Sequence, residues 1–189
     1  NLPMGKRINA RTLFRNDGKI FYKLRLPNDH PDIAIVVLND ESGSMSSSNR
    51  ITYARAASII LYDFCRGLDI PVAVYGHTEE RDVELYAYAE FDSIDNKDMY
   101  RMMDMSARGG NRDGAALRYA AERLMARPEE IKLLIIISDG QPAGTGYYGT
   151  EAEADLRGIK KEYSAKGIQI FAAAIGSDKQ NIQRIYGDG

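Results

Sequence analysis

Three short polar segments hold the side chains whose types and spacing are best suited to chemistry. The first is DESGS at residues 40–44, the second contains Asn111 and Asp113, and the third ends with Asp139 and Gly140. Together they offer carboxylates, hydroxyls and an amide, but neither a thiol nor an imidazole. Oxygen donors of this kind suit Mg²⁺ or Ca²⁺ and do not suit zinc or copper.

The two serines of the first segment strengthen this interpretation. Ser42 and Ser44 are two residues apart on a predicted turn, and Gly43 allows the tight bend that turns both hydroxyls toward one point. Because few anionic ligands are available, we expect one octahedral Mg²⁺ that keeps several waters and an open position. The competing interpretation is ordinary turn and helix-cap chemistry, which serine, asparagine and aspartate also favour.

The first and third polar segments each follow an apolar run that is typical of a buried parallel strand. These runs lie at 33–38 and 133–137, and two further strands are predicted at 70–75 and 168–175. Residues 83–91 alternate apolar and polar side chains, which predicts a half-exposed antiparallel strand at a sheet edge.

Helical patterns separate the strands. They cover 50–68, then a stretch from Asn111 or Asp113 to Pro128, then residues from Thr150 to Tyr163, with shorter helices at about 96–105 and 178–186. This alternation predicts an α/β, doubly wound three-layer sandwich whose mostly parallel central sheet has one antiparallel edge strand. Ligands of such sheets bind beyond the carboxyl ends of the strands, so the three polar segments should meet at one edge.

Side-chain patterns also assign roles within these elements. Glu41 is expected to be a solvated residue and not a ligand, and Cys65 to be a small core residue. His77 is expected to be an ordinary hairpin histidine in a polar turn over 77–82; the alternative is that it lines the rim of the metal site, because it follows a strand whose carboxyl end should face that side. Thr150 and Glu153 match a capping box at a helix start. The inward stripe of the first long helix is predicted as Tyr53, Ala56, Ala57, Ile60, Leu61, Phe64 and Leu68.

Composition narrows the class of protein. The chain has 189 residues, which suits one domain with a short extension. Its single cysteine, Cys65, excludes an internal disulfide and favours a reducing, cytoplasmic location, and its two histidines, His30 and His77, exclude a His-rich zinc site. We find no membrane-spanning apolar run or signal peptide, and no basic excess that would indicate nucleic acid.

Charge is distributed unevenly along the chain. Residues 1–25 contain seven basic residues and one acidic residue, whereas the remainder contains 18 basic and 26 acidic residues. We therefore expect a basic N-terminal arm over 1–30 that packs on an acidic domain over 31–189. The alternative is that the arm docks a partner, or an upstream part of a longer protein from which this domain derives.

The pattern Asp40-x-Ser42-x-Ser44, followed by Asp139, resembles the metal-ion-dependent adhesion site of von Willebrand factor A-type domains. The resemblance covers the chain from about residue 31. It is closer still to the C-terminal A-type domain of the cobaltochelatase subunit CobT and of related nitric-oxide-reductase activation proteins. NRDGAAL at 111–117 is similar to a block of that family, as are residues 126–132 and the arm between Gly5 and Phe21.

The resemblance implies a ligand set and a partner. The serines would ligate one Mg²⁺, Mn²⁺ or Ca²⁺ ion directly, the aspartates directly or through water, and Asn111 occupies the usual threonine position, with Asp113 as its alternative. An AAA+ ATPase would offer an acidic residue to the ion, in metal insertion for cobalamin biosynthesis or in metalloenzyme activation. The domain itself would be non-catalytic. The implied ligands are Asp40, Ser42, Ser44, Asn111, Asp113 and Asp139.

Other functions are less well supported by the residues. An adhesion-type receptor domain is the main alternative, and the lone cysteine and missing signal argue against it. A hydrolase with Ser42 or Ser44 as nucleophile needs a base within reach, and only His77 is available. The G-x-S-x-G elbow is absent from the sequence. Tyr147 and Tyr148 are either an aromatic contact for a partner or loop packing.

Overall fold

A computed structural model of the chain describes residues 7–8, 21–22, 32–93, 97–140, 142–176 and 179–187. The chain divides into two units, 1–31 and 32–189. In the first unit, strand β1 (Arg7–Ile8) pairs antiparallel with β2 (Phe21–Tyr22). Most of the predicted basic arm, including His30, lies outside the described residues, so its packing remains a prediction.

The second unit is built on a five-stranded sheet in the order β5-β4-β3-β6-β9. Its strands are β3 (Ile33–Asp40), β4 (Val72–Glu79), β5 (Val83–Ala89), β6 (Ile131–Ser138) and β9 (Ile168–Ala174). All neighbours are parallel except β5, which pairs antiparallel with β4 at one edge. A small antiparallel hairpin joins β7 (Ala143–Gly144) to β8 (Tyr147–Tyr148). The predicted fold class is confirmed.

Helices cover both faces of this sheet. The helices α1 (Arg50–Gly67) and α2 (Asp98–Met102) contribute to the apolar cluster on one face. On the other face lie α3 (Asp113–Met125), α4 (Gly149–Ala165) and α5 (Lys179–Tyr186). The apolar periodicity of the α3 and α4 sequences predicts nine inward residues. One of them, Met125 of α3, is exposed, and the other eight are buried: Leu117, Ala120, Ala121, Leu124, Ala152, Leu156, Ile159 and Tyr163.

The parallel register brings the polar strand ends together. Asp40 lies opposite His77 across the β3–β4 pair, and Asn39 lies opposite Ile137 across the β3–β6 pair. Asp139 directly follows β6. Since parallel strands end at the same edge of a sheet, three chain segments distant in sequence meet there.

Strand β5 departs from the predicted alternation because of a register shift. Val74 pairs with Ala89 while Tyr75 pairs with Ala87, which leaves Tyr88 without a partner. An extra residue of this kind is a β-bulge, and it redirects the side chains that follow it. Tyr88 and Ala89 are consequently both buried in the cluster beneath α1 and α2.

The predicted inward stripe of α1 is wrong at most of its positions, although Ala57 and Leu61 are partly buried against the core. Tyr53, Ile60 and Phe64 are more than 60% exposed, whereas the buried residues are Ala54, Ser58, Tyr62 and Cys65. Two of these buried residues are polar and have distant partners: the Ser58 hydroxyl donates to Asn39 and the Tyr62 hydroxyl donates to Asp98. Hydrophobicity alone selected the outer stripe because it could not detect those bonds. Cys65 is a buried core residue, as predicted.

Three local predictions also need correction. Strand β4 continues through Glu79, so His77 lies in a buried strand and not in a turn. Helix α4 begins at Gly149 with no side-chain cap, which rules out the capping box predicted at Thr150 and Glu153. The apolar run at 168–175 predicts a strand that is buried on both faces, but strand β9, which it forms, buries only one face.

Across the described ranges, no helix is both long enough and apolar enough to cross a bilayer.

The exposed stripe of α1 allows a direct test of the orientation of this helix, with a buried leucine of α3 as the reference. We expect Ile60→Ala to change the free energy of unfolding by less than about 0.5 kcal/mol, because its side chain is exposed. Leu117→Ala on α3 should cost about 2–5 kcal/mol, because it removes a fully buried side chain. Urea unfolding of both variants measures the difference. A loss above about 1 kcal/mol for Ile60→Ala would contradict the outward orientation.

Candidate metal centre

Asp40 lies at the centre of the polar edge and is fully buried. Its Oδ1 accepts a hydrogen bond of 2.8 Å from the backbone N–H of Ser42. Its Oδ2 accepts one of 2.9 Å from the Asn111 amide and one of 2.8 Å from the Ser138 hydroxyl. The carboxylate is therefore oriented by three separate segments.

The loop after β3 places the two predicted serine ligands side by side. The hydroxyl oxygens of Ser42 and Ser44 are 2.9 Å apart. Ser42 is buried while Ser44 is exposed, so the two hydroxyls lie at the boundary between the protein interior and the solvent. The loop then continues as a 3₁₀ turn in which Ser48 and Asn49 both adopt left-handed backbone conformations, with φ values of 52° and 58°.

Asn111 and Asp113 are both buried at this edge, in the segment that leads into α3. The Asn111 side chain contacts Asp40 directly. Burial, and next the neighbouring charge of Asp40, raise the pKa of Asp113 well above its ordinary value. Both predicted alternatives therefore lie in the site, and the choice of ligand between them stays a prediction.

His77 faces the same cluster and is fully buried. Its Nε2 lies 3.5 Å from Asp113 Oδ1, and within the described residues neither ring nitrogen has a hydrogen-bond partner. Burial lowers the pKa of this imidazole, which favours its neutral form. The prediction of an ordinary hairpin histidine is therefore wrong. Its position at the carboxyl end of a predicted strand was the sequence signal for the alternative, that it lies on the metal side.

Asp139 forms an ion pair that the sequence did not suggest. Arg50 Nη1 donates to Asp139 Oδ2 at 2.7 Å, and both side chains are largely buried, with exposures of 16% and 5%. The Arg50 guanidinium lies against Gly176, where an added Cβ would approach its Nε to 2.8 Å. The site thus contains the positive charge of the Arg50 guanidinium beside its carboxylates.

Glu41 is fully buried, which contradicts the prediction that it is solvated. Its Oε1 accepts a 2.7 Å hydrogen bond from the Tyr88 hydroxyl on β5. Burial raises the pKa of this carboxyl above its ordinary value. The partner is 47 residues away in the chain, so no local pattern could have revealed it.

Backbone hydrogen bonds join the loops around the site. The Gly43 N–H donates to the Gly109 carbonyl at 2.8 Å. Glu79 and Gly110 exchange both of their backbone hydrogen bonds, and the Asn111 backbone bridges in the same way to Ala143. The loops that carry the polar side chains are therefore linked to one another and not only to their own strands.

The two tyrosines of the β7–β8 hairpin have different environments. The Tyr147 hydroxyl donates to Asp155 at 2.9 Å, so this ring packs within its own loop and helix. Tyr148 is 70% exposed. Of the two predicted roles, loop packing fits Tyr147, and a partner contact remains open for Tyr148 alone.

The donor chemistry of this edge fits a hard divalent cation. Asp40 and Asp139 lie near enough to Asp113 for their charges to raise its pKa, and the two serine hydroxyls lie in the loop that follows Asp40. The Arg50 guanidinium offsets only part of this negative charge. In the part of the chain that the structure describes, no three His, Cys, Asp or Glu side chains are grouped so as to hold a metal. An ion here would therefore also take hydroxyl or amide oxygens, which Mg²⁺, Mn²⁺ and Ca²⁺ accept.

Comparison with known families and proteins agrees with this geometry. The model of the von Willebrand factor type A domain matches residues 33–188. The uncharacterized protein YojO of Bacillus subtilis is 25% identical over 89% of this chain and 28% of its own length. The protein NorD of Brucella suis is 34% identical over 41% of this chain and 13% of its own length. The chain thus spans well under a third of these relatives.

A solved structure shares the fold. Proximal thread matrix protein 1 from the mussel byssus, in a form with a zinc-occupied MIDAS motif, aligns with a TM-score of 0.58 and 17% identity. The alignment covers 82% of this chain and 41% of that protein. At this identity the likeness establishes the architecture.

The raised pKa of Asp113 predicts a stability effect. Its ionised form is disfavoured in the fold, so stability is lost as pH rises from the ordinary aspartate range through the raised pKa. We expect Asp113→Asn to relieve about 1 kcal/mol in the metal-free protein and to raise its melting temperature by roughly 2–4 °C. Thermal unfolding in EDTA at pH 5 and pH 8 should show the larger gain at pH 8.

Asp63→Asn on the exposed side of α1 is the control and should leave the melting temperature unchanged at both pH values. A lower melting temperature for Asp113→Asn at pH 8 would contradict the electrostatic explanation, because it would mean that the ionised carboxylate stabilises the fold.

Proposed function

Because the chain belongs to the von Willebrand factor type A domain family, we propose that it binds one divalent cation and through it an acidic side chain of a partner protein. The observation that carries this proposal is the pair of Ser42 and Ser44 hydroxyls, 2.9 Å apart, in the loop that directly follows the buried carboxylate of Asp40. Asp113 and Asp139 lie at the same sheet edge, near enough for the charges of Asp40 and Asp139 to act on Asp113. The form of the byssus protein with a zinc-occupied MIDAS motif lends support from the same fold.

The proposed ligands divide by chemistry. Ser42 and Ser44 would supply neutral hydroxyl oxygens, and Asp40 and Asp139 would supply carboxylates, directly or through water. Asn111 or Asp113 would complete the protein's share. The bound ion supplies concentrated positive charge, which attracts a carboxylate from another molecule.

The chain's own residues prepare this role before any partner arrives. Asp40 is held by three hydrogen bonds, so its carboxylate does not need to reorganise. Ser44 is exposed, which gives the proposed ion a route to the surface. Arg50 occupies one oxygen of Asp139 and thereby limits how much negative charge the ion meets.

We further propose that the partner is an AAA+ ATPase and that the domain is itself non-catalytic. The support for this is the resemblance of residues 111–117 and 126–132 to the CobT and nitric-oxide-reductase activation family, which implies a role beside such an ATPase in metalloenzyme activation or in metal insertion for cobalamin biosynthesis. The similarity to NorD agrees with that resemblance. The single cysteine, which is buried, is consistent with a reducing cytoplasm. The adhesion-type receptor remains the alternative.

The cation site is tested by removing single ligands. Asp40→Ala and Ser42→Ala should each abolish binding of Mg²⁺ or Mn²⁺ measured by calorimetry, while circular dichroism shows that the fold survives. Ser47→Ala changes an exposed serine of the same loop and should bind as the parent does. If both ligand variants keep the parent affinity, the site assignment is wrong.

The partner is tested by co-purification of the full-length protein with an AAA+ ATPase from the same genome. We expect the ATPase to be retained with Mg²⁺ or Mn²⁺ and lost in EDTA, since the ion would form the contact. The Ser42→Ala variant should lose it even when Mg²⁺ is present. Equal retention in EDTA would show that the interaction does not depend on the cation.

A further inference from the structure

We propose that Glu41 is a positioning residue for the cation site, one that holds the Ser42–Ser44 loop in its binding conformation from the opposite face of strand β3. The inference rests on the proposed function, because it assigns a role toward the same ion. Glu41 directly follows β3, and its N–H donates to the His77 carbonyl, so the pairing with β4 continues through it. Successive side chains of a chain paired in this way point to opposite faces of the sheet. Its carboxylate therefore points away from the cluster that its neighbours form.

Each oxygen of the Glu41 carboxylate has a partner in its own pocket. Oε1 accepts the Tyr88 hydroxyl at 2.7 Å, and Oε2 accepts the Ser106 backbone N–H at 3.2 Å. Arg108 Nε lies 3.5 Å from the same Oε2. A buried carboxylate with partners on both oxygens is held in one orientation.

The backbone of Glu41 is fixed from both sides as well. Its N–H donates to the His77 carbonyl at 2.9 Å, and its carbonyl accepts from the Arg108 N–H at 2.7 Å. Side chain and backbone together attach this residue to strand β4, strand β5 and the segment 106–108. A residue so constrained sets the direction in which the chain leaves β3, and hence where the Ser42 hydroxyl lies.

The neighbouring strands are shaped around this carboxylate. A Cβ added at Gly76 would lie 1.7 Å from Glu41 Oε1, so any larger residue at position 76 of β4 would displace the Glu41 carboxylate. The bulge in β5 leaves Tyr88 unpaired and buried, which lets its hydroxyl reach Glu41. Two departures from a regular strand therefore accommodate a single side chain.

Arg108 secures the other side of the pocket. Its guanidinium lies over the Tyr86 ring at 3.9 Å from the centroid, a cation–π contact that orients it toward Glu41. The next residue, Gly109, accepts the Gly43 N–H through its carbonyl. The segment that contacts the Glu41 carboxylate thus also contacts the glycine between the two serines.

The experiment compares two buried carboxylates of the same chemistry. Asp98 accepts the Tyr62 hydroxyl at 2.6 Å and pairs with Arg101, but it lies on α2, apart from the contacts that form the site. Glu41→Gln and Tyr88→Phe are the test variants, and Asp98→Asn and Tyr62→Phe are their controls. Mg²⁺ and Mn²⁺ affinities by calorimetry and melting temperatures in EDTA are measured for all four.

We expect Glu41→Gln to weaken cation binding about 10-fold, the lower end of the loss that follows when a hydrogen bond to a metal ligand is removed, because Glu41 acts on the ligand loop and not on a ligand directly. Tyr88→Phe should weaken it in the same direction by a smaller factor. The two control variants should lower the melting temperature comparably and bind the cations as the parent does.

Gly76→Ala provides an independent arm, because it displaces the Glu41 carboxylate without altering its chemistry. It should reproduce the loss of cation affinity seen with Glu41→Gln. If the Glu41, Tyr88 and Gly76 variants lose only thermal stability and keep the parent affinity, Glu41 is merely structural and the inference fails. If the parent protein binds neither cation, it is the proposed function that fails.

Discussion

Asp40 presents a fully buried carboxylate at the end of the central strand, and hydrogen bonds from three parts of the chain hold it there. The donors come from its own loop, from the segment before α3 and from the end of β6. A buried charge without such partners would cost several kcal/mol, so these segments are constrained to meet. The same hydrogen bonds bring the Ser42–Ser44 loop, Asn111 and the end of β6, which Asp139 follows, to one edge of the sheet.

Placing several carboxylates at one buried edge has an electrostatic cost that the fold only partly offsets. Burial and Asp40 raise the pKa of Asp113, and the neighbouring His77 is biased toward its neutral form, which adds no compensating charge. The Arg50 guanidinium pairs with Asp139 and neutralises part of the negative charge. Residues arranged against their own stability in this way are typical of functional sites.

The two faces of one strand end have complementary tasks. Asp40 faces the polar cluster, while Glu41 faces a pocket made by β4, β5 and the segment 106–108. Each carboxylate has its partners on a different side of the sheet. The loop that contains Ser42 and Ser44, which follows directly, is therefore held from both sides of the sheet. This explains why β4 carries Gly76 and why β5 is bulged at Tyr88.

Local periodicity in the sequence determined the succession of strands and helices along the chain and the inward residues of α3 and α4. It also determined that the DESGS segment lies at a strand end. Those features depend on neighbours in the chain, which a pattern records. The tertiary structure decided which face of α1 is buried and what Glu41, His77 and Arg50 contact. Arg50 meets Asp139 across 89 residues, and Glu41 meets Tyr88 across 47. Such side chains find their partners only once the sheet register has brought distant segments to one edge.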